Sequence, residues 1–157
     1  MENFWQNYIR YHFIEEVGRL QRSGFHYFSV VIMVQVIEFL GGMLDNKPLR
    51  ARNQSKNRFR LAIAKLFDSR YQRLNNNDWL YDKLRNHMVH AFIPSSLLKI
   101  ISAGEKGNSR NLEKEGDILV IVSEELFSDF TRACQKVIYL IDSGKIPAKK
   151  INPMTGF

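Results

Sequence analysis

Over most of the chain, apolar residues recur every three or four positions, the pattern of helices that bury one face. From Glu2 to Arg22, Tyr8, Tyr11, Val17 and Leu20 keep that spacing, and Arg10, Glu15, Glu16 and Arg19 supply a wet face. Ser23-Gly24 breaks the run. The next run, Phe25 to Leu44, is apolar nearly all round, which predicts the central member of a bundle. Gly41-Gly42 lies near its end, and Asp45-Asn46-Lys47-Pro48 reads as a loop. A third helix is expected from Ser55 to Tyr71, with Phe59, Ile63, Leu66 and Phe67 inward. Asn75-Asn76-Asn77 marks a turn. Asn77 or Asp78 is expected to cap a fourth helix reaching Phe92, with Pro94 as its stop.

The pattern then changes. Leu97-Leu98-Lys99-Ile100-Ile101 and Ile118-Leu119-Val120-Ile121-Val122 are short, apolar and rich in β-branched residues. A polar stretch with Gly104, Gly107, Asn108 and Gly116 separates them, so two strands joined by a long flexible loop are expected. Ser123-Glu124-Glu125 opens a last helix to about Ser143, with a hydroxyl for its cap and acids in its first turn. Phe127, Phe130, Val137, Leu140 and Ile141 form its inward face, and Gly144 ends it. The fold class predicted is mainly α: an up-and-down bundle of about five helices with a small two-stranded β insertion, about residues 97–122, before the last helix. Residues 1–144 make one domain, followed by a loosely ordered tail over 145–157 that contains Pro147 and Pro153.

Composition narrows the class. At 157 residues and 45% hydrophobic, the chain is long and apolar enough to build one core. Its single cysteine, Cys134, lies in an apolar helical run and reads as a buried structural thiol. Met1-Glu2-Asn3-Phe4-Trp5 lacks the basic-then-apolar order of a signal peptide. Val30 to Leu44 is interrupted by Gln35 and Glu38 and is shorter than the roughly 20 residues of a membrane span. A cytoplasmic protein with no membrane partner is expected. The net charge is +7, and from Asp45 to Arg73 nine basic residues face two acidic ones, an excess that equals the whole net charge. Arg50, Arg52, Lys56, Arg58 and Arg60 in this stretch are the candidate RNA-binding residues, since such a segment attracts phosphates by counterion release. The same stretch also reads as the solvated side of a loop and helix.

Candidate chemistry gathers on the fourth helix. At 100° per residue, Leu80, Leu84 and Met88 share one arc, with Tyr81 at its margin. Asp82, Asn86 and His90 form a polar stripe on another face, flanked by Lys83 and His87. Arg85 stands about 140° from His90, close enough for its long side chain to bend toward the same cleft. A histidine titrates near neutral pH and moves protons either way, and a guanidinium binds phosphate through two donors. Together with Asn86, these groups suit RNA cleavage by attack of a ribose 2′-hydroxyl on the adjacent phosphate.

The run Leu84-Arg85-Asn86-His87-Met88-Val89-His90-Ala91-Phe92 resembles the signature of the HEPN superfamily (higher eukaryotes and prokaryotes nucleotide-binding). That signature is an arginine, a polar residue, a few further residues, and a histidine near the end of a helix. The resemblance implies a helical bundle, and many HEPN proteins are metal-independent ribonucleases of toxin–antitoxin, abortive-infection or CRISPR-associated systems. It implies a homodimer whose two motif helices form one cleft, with Arg85, Asn86 and His90 as catalytic residues, and a cognate antitoxin or nucleotidyltransferase as partner. In one toxin branch a tyrosine two places after the histidine is modified with nucleotides; Phe92 stands there and has no hydroxyl.

Two other readings stay open. One is a noncatalytic helical module that binds RNA, a nucleotide or a protein. The other is a purely structural bundle in which Arg85 pairs with an acid such as Glu38. The histidines lack metal-ligand spacing, so no metal is expected. Gly41-Gly42 lacks the P-loop or dinucleotide pattern and no GxSxG elbow occurs, so no cofactor is expected.

Overall fold

The helical periodicity is realised, but π-helical turns shift it in two places. The computed structural model describes residues 4–149; it is 63% helical, with six helices and a small three-stranded sheet before the last. Helix α1 spans 4–22 without a break, and its middle, Ile9–Glu16, is π-helical. A π turn bonds i to i+5 and rotates the downstream residues relative to an ideal wheel. The buried stripe is therefore Trp5, Ile9, Val17 and Gln21. Tyr11, expected inside, lies exposed with the Arg19 guanidinium 5.5 Å from its ring centre.

Helix α2, His26–Leu44, occupies the centre as its all-round apolar pattern predicts, and it packs against α1 and against the helices at 55–66, 79–91 and 123–142. Val30, Met33, Val34, Ile37 and Leu40 are fully enclosed. Among the described residues, it is the helix long and apolar enough to cross a membrane; 61% of its most apolar window is buried inside the bundle. The expected third helix is two. α3 covers Ser55–Leu66 and α4 covers Ser69–Leu74, with extended backbone at Phe67 and Asp68. Asp68 stops the run because its carboxylate accepts the Arg70 N–H at 2.9 Å, an N-cap that restarts the helix. Phe59, Ala62, Ile63 and Leu66 form the buried face of α3.

Helices α2 and α3 cross in backbone contact. A Cβ placed on Gly41 would lie 1.9 Å from the Arg58 carbonyl oxygen, so glycine is required there. Helix α5 spans 79–91 and follows a tight turn at Asn76–Asp78. Neither Asn77 nor Asp78 caps it; both have left-handed backbone, and Asn75 Oδ1 accepts the Tyr81 N–H at 3.0 Å instead. Leu80, Tyr81, Leu84 and Met88 are buried as the wheel predicts. The helix ends at Phe92, which is left-handed, before Pro94 is reached.

Strands β1 (Leu98–Ile101) and β3 (Ile118–Val122) are the two expected, and they pair in parallel. A third, β2 (Lys114–Glu115), pairs antiparallel on the other side of β3, giving the order β1-β3-β2. The pleat sends Leu119 and Ile121 into the helical core, while Val120 and Val122 join Ile101 in a separate cluster. Nor is the connection slack. Turns closed by Glu105 N–H to Ser102 O, Ser109 N–H to Lys106 O and Glu113 N–H to Arg110 O succeed one another along it.

β3 runs straight into α6, Ser123–Asp142. Ser123 therefore does not cap; its Oγ lies 3.0 Å from His26 Nδ1. Phe130, Ala133, Cys134 and Val137 are buried, whereas Phe127, Leu140 and Ile141 are half-buried. Burial pushes the Cys134 thiol pKa up, so it stays protonated. The tail expected to be loose from Lys145 is instead tied through Lys149. Its carbonyl accepts the Trp5 indole N–H at 2.7 Å, and its ammonium reaches Asp45 Oδ1 at 3.2 Å. Residues 150–157 of that expected tail lie outside the described residues.

Candidate functional site

The expected motif lies on α5, and its first members fall within the π-helical turn Tyr81–Asn86. Such turns change the angular relation between residues on either side, so the 140° separation of an ideal helix does not carry over to Arg85 and His90. Asn86, His87 and His90 are exposed, and no protein group among the described residues hydrogen-bonds their side chains. No hydrogen bond or ion pair joins Arg85 to His90.

Arg85 is placed differently. Its Nη2 lies 2.5 Å from Glu38 Oε2 on α2, with only 11% of the arginine and 21% of the glutamate side chain exposed. The approach is close but misaligned for a hydrogen bond. Glu38 Oε2 and Arg85 Nε are both buried without one. The guanidinium also sits 5.5 Å from the Tyr81 ring centre, and the Lys56 ammonium sits 5.4 Å from the same ring. Lys56 in turn lies 3.4 Å from Asp82. Arg85 is thus held at the α2–α5 contact, one end of a chain of charges that runs outward through Tyr81 and Lys56 to Asp82. Glu38 is the acid that the structural reading of the sequence offered as a partner for Arg85, and the two do meet.

The five basic candidates divide. Arg58 turns inward and is buried; its Nε bonds Asp45 at 2.7 Å, and its two Nη atoms bond the carbonyls of Leu49 and Pro48 at 2.6 and 2.7 Å. It is a clamp on the 45–50 loop. Burial raises the Asp45 pKa, but the bonds from Arg58, the Lys47 N–H and Lys149 outweigh it and hold that carboxyl below its ordinary 3.8. Arg60 grips Asp78 through Nε at 2.9 Å and Nη2 at 2.6 Å, which lowers the Asp78 pKa. Arg50 and Arg52 are exposed.

The sequence reading missed an apolar surface beside the motif. Phe25, Phe28 and Ile32, at helical spacing along the start of α2, are exposed, as are Phe92 and Ile93 at the end of α5. The Tyr27 hydroxyl donates to the Phe92 carbonyl, which joins the two stretches. A groove of about 570 Å³ between α1 and α2, lined by Tyr8, Phe13, Val17, Leu20, Phe25 and Ile32, extends this surface. Its signal in the sequence was the apolar circumference of α2, which left a face over once the core was filled.

No family model matches the chain, and neither a curated protein nor a solved structure matches it. Among the described residues, no group of three or more His, Cys, Asp or Glu side chains could hold a metal ion.

Proposed function

We propose that this chain is a HEPN-like, cytoplasmic RNA-binding protein of a defence or toxin–antitoxin type system that cleaves RNA without a metal. The observation that carries the reading is the arrangement of α5. Its polar residues Asn86 and His90 face solvent without protein partners, while Arg85 is anchored one turn earlier by Glu38. In the reaction, the ribose 2′-oxygen bonds to phosphorus as the bond to the 5′-oxygen breaks. One His90 takes the 2′-proton, and His90 of the partner subunit protonates the leaving oxygen. Arg85 offsets charge on the phosphate, and Asn86 orients the strand.

A homodimer fits the apolar surface, because Phe28, Ile32, Phe92 and Ile93 lie exposed within two or three residues of His90 or across the Tyr27–Phe92 bond from it. Phe92 offers no hydroxyl for nucleotide transfer, so an antitoxin would act by covering α5.

The burial of Arg85 favours a second reading, a noncatalytic module that binds RNA, a nucleotide or a protein, with Arg85 structural. The test is incubation of the purified protein with assorted RNAs in EDTA, alongside Arg85→Ala and His90→Ala. Cleavage lost in His90→Ala, with the fold retained by circular dichroism, supports the nuclease. Cleavage that persists in both variants removes these residues from the mechanism, and binding without turnover leaves the second reading.

A further inference from the structure

A cleft of about 610 Å³ opens between α4 and the 102–113 connection, and no residue of α5 lines it. Arg70 and Arg73 enter it from the helix, Lys106 and Arg110 from the connection. These four cations are unequally committed. Arg70 is clasped by Asp68 at 2.7 Å and lies 3.7 Å from Asp129; Lys106 pairs with Glu125 at 3.1 Å. Arg73 donates only to the Ser69 hydroxyl, at 3.2 Å, and meets no carboxylate among the described residues. Arg110 lies 3.7 Å from Glu113, but with 77% and 61% of the two side chains exposed, such a pair holds its partners weakly. Glu113 and Glu125 line the cleft as well, so its four cations outnumber its two carboxylates, and Arg73 and Arg110, one from each wall, are the least committed of the four.

The wall that carries Lys106 and Arg110 is built. Each is the first residue of one of the consecutive turns that close the connection. Asn111 pins the third turn to β3, since its Oδ1 accepts the Val122 N–H at 2.8 Å. Its Nδ2 is buried on the side of the Tyr71 hydroxyl, away from solvent. Leu112 comes next with φ +64, a left-handed conformation that a branched residue adopts only when its surroundings enforce it. The Leu112 N–H, bonded to the Val120 carbonyl at 2.8 Å, supplies part of that enforcement. Among the described residues no aromatic ring lines the cleft, so none of them stacks on a base there.

We propose that this cleft binds phosphate groups carried in series, held between Arg73 and Arg110 with Lys106 alongside, and that it reads no base. Guanidinium forks suit phosphate oxygens because two parallel donors meet two acceptors. Two sources share this chemistry, a free nucleoside triphosphate and the backbone of an RNA strand. The assignment goes beyond the reading of α5 and does not rest on it.

The test titrates the full chain with inorganic triphosphate, ATP, adenosine and a short 2′-O-methyl oligonucleotide, which resists cleavage through a 2′-hydroxyl. Triphosphate and ATP are expected to bind alike and adenosine not at all. Arg73→Gln with Arg110→Gln is expected to weaken binding about tenfold or more. Both side chains are exposed, and an unchanged thermal transition shows that the fold is kept; Arg73→Gln alone serves if the pair disturbs it. Inorganic triphosphate, which carries no ribose for α5 to act on, is expected to lose affinity in Arg73→Gln with Arg110→Gln, which separates this site from α5. Oligonucleotide binding far tighter than ATP, and lost in the double variant, identifies RNA backbone as the source; the reverse order identifies the free nucleotide. Absence of saturable binding by either, or equal binding by the double variant, overturns the proposal.

Discussion

Removing either partner of the Arg85–Glu38 pair tests what α5 is built around. Breaking a fully buried ion pair by deleting one member costs about 3–5 kcal/mol, because the other charge is left without compensation. Here 11% and 21% of the two side chains remain exposed, and the contact is misaligned for a hydrogen bond. Solvent and poor alignment reduce the cost, and we expect about 2 kcal/mol for Arg85→Met or for Glu38→Ala. For a chain of this length that lowers the midpoint of thermal unfolding by roughly 4–8 °C. The double variant Arg85→Met/Glu38→Ala leaves neither charge stranded, so its loss should fall short of the summed single losses by about 1–2 kcal/mol. Urea unfolding of the four proteins, monitored by circular dichroism, measures the coupling. Single losses that add to within about 0.5 kcal/mol would refute the claim that Glu38 holds Arg85. One further variant refines the functional test. Glu38→Gln removes the anchor yet keeps the guanidinium, so weakened cleavage in that variant would mean that Glu38 positions Arg85 for phosphate.

Gly41→Ala places a methyl 1.9 Å from the Arg58 carbonyl and forces α2 and α3 apart; a loss of about 3 kcal/mol or more is expected, read as a lower urea midpoint. Acid should act through Asp45, whose folded pKa is depressed below 3.8. A depressed carboxyl contributes stability that is present above its unfolded pKa and lost as pH falls through the folded one, so unfolding free energy should drop below about pH 4, and less steeply in Asp45→Asn.

The positions of the helices were largely legible because burial imposes period on sequence, and α2, α3, α5 and α6 all keep their expected buried faces at Ile37, Ile63, Leu84 and Phe130. What escaped notice has physical causes. Periodicity assumes an α helix, so it could not register the π turns that expose Tyr11 and re-aim Arg85. The break at Asp68 rests on a single side-chain cap in an otherwise unbroken pattern. β2 is two charged residues long, too short and too polar to show as a strand; only pairing with β3 makes it one. The motif itself was legible as residue types in order. Pairing of Arg85 with Glu38 was one of several readings the sequence left open, and choosing among them depends on α2, roughly fifty residues upstream in the chain.

A count of charges along the chain also differs from the field a ligand meets. The nine basic residues from Lys47 to Arg73 match the net charge of +7 once two acids are subtracted. Yet Lys56, Arg58, Arg60 and Arg70 are each paired with a carboxylate, and Arg58 is buried besides. Three of those carboxylates, Asp45, Asp68 and Asp78, show depressed pKa values, with bonds from their arginine partners among the causes, so these arginines are already engaged in the free chain. A strand bound through all nine would release counterions at nine phosphates, and the logarithm of its affinity would fall with the logarithm of salt at a slope of about −6. With at least four of the nine compensated, the slope for a short single-stranded RNA should be clearly shallower, about −3.5 or less in magnitude. It should become shallower still in Arg73→Gln/Arg110→Gln if the cleft beside α4 takes part. A measured slope near −6 would mean that RNA displaces the carboxylates from their arginines, and the internal pairing of the free chain would then be the closed form of the basic surface.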